Sequence, residues 1–132
     1  MSDTDPVTDT LDAVAQQDID LTDPVLDHYA TRRPESAALM AHMDEYMKGR
    51  MMADVLMLLM TPPAEVDHQY LTFEVESHRA YGVTIEQFPD LLASVRDSVR
   101  EVLGDAWDAA AEQAWGARIS AHMDAIRAVA TS

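Results

Sequence analysis

Five histidines, at positions 28, 42, 68, 78 and 122, are the side chains of this 132-residue chain best suited to hold a metal or move a proton near neutral pH. None stands in H-E-x-x-H, which excludes the zinc-peptidase helix. Glu65-Val66-Asp67-His68 is the only Glu-x-x-His pair, and a carboxylate-bridged di-iron bundle needs two. Its plain meaning is a solvated helix end. Cysteine is absent, so disulfides, thiolate metal sites, iron–sulfur clusters and a cysteine nucleophile are excluded. No G-x-S-x-G, P-loop or G-x-G-x-x-G occurs. Ser94 and Ser98 lie four residues apart on an expected helix with no histidine beside them, so nothing supports acyl transfer. The carboxylates are spread along helix faces rather than paired between apolar stretches, which gives no glycosidase signal. His78 stands apart by context: it precedes a Tyr81-Gly82-Val83 turn and a strongly apolar helix. A lone histidine at a helix end is usually structural.

The elements that position these residues are helical. Six prolines and four glycines punctuate the chain sparsely, and no β-branched run alternates with period two. The expected fold class is all-α, with about six to seven helices and a short first one. Residues 1–9 are expected to be a disordered acidic N-terminus, and 10–132 a single domain. Asp23-Pro24 signals a helix start by N-cap and N1 proline, and that helix runs to about Arg33. A broken segment spans Glu35 to His42. Asp44 to Met60 is the next helix, with Met47, Met51, Val55 and Leu58/Leu59 as its apolar stripe. Glu65 to Arg79 follows, with Val66, Tyr70 and Phe73 on one side. Thr84 to Gln87 has capping-box spacing. Phe88, Leu91, Leu92, Val95, Val99, Val102 and Leu103 then form a continuous stripe ending at Gly104. The last helix carries Trp115, Ile119, Met123, Ile126 and Val129 on one face. The last two helices, joined by a short loop, are expected to pack antiparallel.

The formal charge of -15, from 24 acidic against 9 basic residues, repels phosphate backbones and anionic lipid. The expected partners therefore include no nucleic acid and no membrane. The start is too polar for a signal peptide, and Val55 to Met60 is too short to cross a bilayer, so a cytoplasmic location is expected. The apolar surface can support a homodimer, though no residue pattern specifies one.

Glu76-Ser77-His78-Arg79-Ala80-Tyr81-Gly82-Val83 resembles the pattern around the proximal histidine of bacterial single-domain globins, H-x-x-Y-G-V. Glu86-Gln87-Phe88-Pro89 is similar to the start of the next globin helix, and 96–105 to its end with the Leu-Gly turn. Trp115-Gly116 falls where these globins carry tryptophan in the last helix. Upstream, 29–40 looks like the second helix running into the corner beside the haem, and Lys48-Gly49-Arg50-Met51-Met52 like the distal helix. The resemblance covers roughly 10–129 and is specific over 76–116.

It implies haem b (iron protoporphyrin) held by His78 as proximal ligand, and binding of oxygen or another diatomic gas. By alignment Leu26, Met40, Lys48, Met52, Val83, Phe88 and Leu92 line the pocket with His78. Three departures bear on function. Met40 stands where phenylalanine is usual. Lys48 stands at the distal position in place of histidine or glutamine, with His42 and Tyr46 nearby as alternatives. Phe88 and Ala130 stand where flavohaemoglobin-like globins reinforce the proximal histidine with tyrosine and glutamate. An enzyme is therefore not the leading expectation. Nitric-oxide dioxygenase or peroxidase-like activity would need an external reductase. The alternative is a haem-less globin fold serving as an interaction or sensor module.

Overall fold

The computed structural model describes residues 5–131, apart from the side chains of Ala37 and Leu39. The chain is all-α. Seven α-helices follow in order: α1 (Pro6–Gln16), α2 (Thr22–Arg32), α3 (Ser36–Met40), α4 (Glu45–Met60), α5 (His68–Ala80), α6 (Gln87–Leu103) and α7 (Ala109–Ala130). Short 3₁₀ turns stand at Pro63–Glu65 and Gly104–Ala106. Among the described residues there is no strand, and no helix is long and apolar enough to cross a membrane.

The front of the chain differs from expectation. Of the stretch 1–9 expected to be disordered, 1–4 lie outside the described residues, but 6–9 form the first turn of α1. The Asp-Pro pair read as a helix start at 23–24 falls inside the first turn of α2, which begins at Thr22 with Leu21 as its uncapped N-cap; the same pair at 5–6 is the one that caps a helix. The Asp5 carboxylate accepts from the Val7 amide at 3.2 Å and from the Thr8 hydroxyl at 2.8 Å. Val7 is fully buried, so tertiary packing holds a turn that polar composition argued against.

α2 packs on α6, α5 on α7, and α1 across both α6 and α7. The chain ends show the direction. His78, late in α5, meets Phe88 at the start of α6, while Arg79 donates to the Ala130 carbonyl at the end of α7. The start of α6 and the end of α7 thus share one pole, and the two helices run antiparallel. Trp115, with no exposed surface, packs at a tilt of 37° against Trp107, ring centres 6.0 Å apart, and donates its indole N–H to the Thr10 hydroxyl at 2.9 Å. That bond ties α7 to α1.

Buried Asp97 binds α6 to α2. It accepts from Arg32, from Arg96 at 3.1 Å and from Arg100 at 3.0 Å. Burial pushes its pKa up, but the Arg32 and Arg96 guanidiniums outweigh that and hold it below the usual carboxylate range. Asp97→Asn is expected to cost about 1–3 kcal/mol in urea unfolding at neutral pH. The difference from wild type should shrink as pH falls through the lowered pKa, because the wild-type carboxylate is then neutral too. Equal midpoints at neutral pH would show that the cluster contributes nothing.

Two apolar faces depart from expectation. On α4, Leu59 is buried and Val55 and Leu58 pack on the core as expected, but Met47 is exposed and Met52, outside the expected stripe, is buried. Apolar side chains surround most of this helix, so periodicity alone had little contrast to choose between lines. On α5 the core takes Leu71 and Val75, and Tyr70 and Phe73 point outward. The stripes of α6 and α7 fall as expected, with Leu92, Val95, Val99, Trp115, Met123 and Ile126 all buried.

Candidate functional site

His78 occupies the last turn of α5, where helix geometry puts its ring over the carbonyl four residues earlier. Nδ1 lies 2.6 Å from the Glu74 carbonyl oxygen. A carbonyl only accepts, so Nδ1 carries the proton and a neutral ring keeps its lone pair on Nε2. Phe88 meets the imidazole edge-on, ring centres 5.4 Å apart and planes at 64°. The His78 side chain stays 35% exposed. The result is a partly exposed ring, fixed at Nδ1 and braced by an aromatic edge.

The turn between α5 and α6 holds this pair in register. Gly82 has φ of 88°, a left-handed conformation suited to glycine. The Val83 amide closes back on the His78 carbonyl at 3.0 Å. Thr84 N–H donates to the Gln87 side-chain oxygen at 2.6 Å, the glutamine half of the capping box. Gln87 is buried, and its amide N–H₂ donates to the Ser36 hydroxyl at 2.6 Å and to the Tyr29 hydroxyl at 3.4 Å. A polar network from α2 and α3 therefore anchors the segment that presents Val83 and Phe88. Gln87, Ser36 and Tyr29 were not singled out from sequence; the capping spacing at Thr84–Gln87 was the one available signal.

His78, Val83 and Phe88 are brought together, with Leu92 one turn further along α6. Lys48 and Met52 share one face of α4, Met40 ends α3 and Leu26 lies on α2. Lys48, Met40, Leu26, Val83 and Phe88 are half-buried, whereas Met52 and Leu92 are each 3% exposed within the core. The Lys48 amine lies 3.5 Å from the Glu45 carboxylate. His42 is exposed and Tyr46 is 71% exposed, so neither faces the interior. α4 and α5, though consecutive long helices, are not among the closely packed pairs.

Among the described residues no group of three or more His, Asp or Glu side chains could hold a bare metal ion. A metal at His78 needs its other donors from a macrocycle. On the α5 side the residues fit such a group: one oriented imidazole with a free Nε2, flanked by Val83 and Phe88. On the α4 side the space is less ready. A cavity of about 210 Å³ lies between the end of α4 and the start of α5, and one of about 340 Å³ lies on α5, and none of the eight predicted site residues lines either. Met52 and Leu92, each 3% exposed, present almost no open surface to a planar group.

No known protein family matches the chain, and no curated protein sequence does.

His122, on α7, is a buried imidazole, 1% exposed, with neither ring nitrogen hydrogen-bonded. The backbones of Leu58 and Thr61 face it without reaching bonding geometry. Burial, with the Arg118 charge, holds its pKa below the usual histidine value; those two backbones oppose the shift. The folded state therefore favours the neutral ring, while the unfolded ring takes a proton near pH ~6.5. Stability should fall as pH drops below that point, and His122→Leu should reduce the fall in the urea midpoint. An identical pH profile for the variant would remove His122 from the account.

Proposed function

We propose that this chain is a globin-like haem protein that binds oxygen or another diatomic gas, with His78 as the axial ligand. One observation carries the reading: the Glu74 carbonyl accepts from Nδ1–H, which directs the lone pair of the neutral ring to Nε2 on a partly exposed side chain. This is how a protein fixes the tautomer of a ligating histidine. The resemblance of 76–83 to bacterial single-domain globins points to the same residue. Haem b, when bound, supplies the iron and four further nitrogen donors, and with them gas coordination. The chain supplies the rest. Phe88 limits rotation of the imidazole. Leu26, Met40, Met52, Val83 and Leu92 offer apolar surface that excludes water. Lys48 has an amine at the half-buried edge, suited to a propionate or to solvent.

Contact of the macrocycle with Met52 or Leu92 would draw that side chain from part of its present packing, since each is 3% exposed. Titration with haemin should give a Soret band that saturates at one equivalent, together with greater oxidation of Met52 by peroxide during partial loading. Absence of any Soret shift would sink the proposal. Reductive chemistry on a bound gas would draw on an external reductase. With a charge of -15, neither nucleic acid nor an anionic membrane is a proposed partner.

The second reading is a globin fold without haem, working as an interaction or sensor module. The observation that favours it is the full burial of Met52 and Leu92, which already close the core. The same titration separates the two.

A further inference from the structure

We propose that the outer face of α4 and α5 docks a cationic amphipathic helix of a partner protein. The inference does not depend on haem. Met57 and Phe73 are 64% and 66% exposed, and Met60 and Tyr70 are also open to solvent. Met57 and Tyr70 line one cavity with Leu58, Thr61 and Val66, and Phe73, one turn beyond Tyr70, lines a second on α5. Neighbouring exposed apolar side chains rimmed by polar ones mark an interaction site. Unbranched methionine adapts to varied apolar side chains, so the surface can close around a helix laid along the groove.

Charge selects the occupant. From residue 51 to 78 the chain carries Asp54, Glu65, Asp67, Glu74 and Glu76, and no Lys or Arg. Glu65 and Asp67 line the first cavity, and Glu76 the second, so the carboxylates rim the apolar groove. Arg118, the cation that reaches this end of α4, is engaged by the Leu59 carbonyl and the Asp5 carboxylate. A second copy of this chain would set acidic rim against acidic rim. A helix with apolar residues at i, i+3/i+4 and i+7 and Lys or Arg on its flanks satisfies both the groove and the rim.

The test uses a labelled Leu/Lys amphipathic peptide of about 18 residues as probe. Its anisotropy is measured against the full chain at pH ~8, where histidine is neutral. Micromolar binding is expected. It should weaken about tenfold for a scrambled peptide of equal composition, and equally for the double variant Met57→Ser, Phe73→Ser. Higher salt should weaken it several-fold. Both substituted positions are exposed, and unchanged circular dichroism confirms the fold. Equal binding of the scrambled peptide, or wild-type affinity in the double variant, would overturn the proposal. So would a dimer in sedimentation that the double variant dissolves, since the face would then belong to a second copy.

Discussion

His78→Ala is expected to lower haemin affinity about a hundredfold, or about 3 kcal/mol, while leaving helical content unchanged. The side chain is partly exposed and its one hydrogen bond is to its own helix, so little packing is lost. His78→Gly should recover a histidine-like Soret band when free imidazole is added. That rescue separates ligation from structure: a residue acting only through packing gains nothing from imidazole in solution. Wild-type affinity in His78→Ala would remove this ring from the site, whatever else the protein binds.

The largest effect on stability is expected at Trp115. It is fully buried, packs at a tilt against Trp107 and bonds Thr10 across 105 residues of chain. Truncation to Ala leaves a ring-sized void and removes the bond that the Thr10 hydroxyl accepts, although that hydroxyl still donates to the Val7 carbonyl at 2.8 Å. The cost is about 3–5 kcal/mol for the cavity, with about 1 kcal/mol more for the bond. For a domain of this size that is a large part of the whole stability. Denaturant unfolding of Trp115→Ala measures it directly, and Trp115→Phe should lose less because it refills most of the space. A loss below about 1 kcal/mol for the Ala variant would mean that α1 is not fastened to α7 as described.

The C-terminal half was the most legible part of the sequence. In α6, apolar and polar residues alternate with helical period around a sharp contrast, so Leu92, Val95 and Val99 point inward as the pattern demands. α4 had no such contrast. Its methionines and leucines occupy nearly every side, and the buried line through Met52 and Leu59 is chosen by what α1 and α2 present to it. On α5 the aromatic residues drew the expectation, yet Leu71 and Val75 take the core and Phe73 faces water. Ring size signals burial only when a partner surface exists. His78 was legible as a position, from the turn after it, but its Nδ1 contact was not named; the contact follows from helix geometry at i−4. His122 gave no signal, because its stripe on α7 reads as well with Met123. The network of Tyr29, Ser36 and Gln87 was hidden for a different reason: its members lie far apart in sequence and meet only in the folded chain.

The measurement that bears most directly on the central claim is the absorbance spectrum of the protein purified as expressed, before any haemin is added. A Soret band that shifts on reduction and again on exposure to carbon monoxide is the predicted result, with the band absent in His78→Ala. A spectrum with only tryptophan and tyrosine absorbance, unchanged after haemin is supplied, would contradict the account.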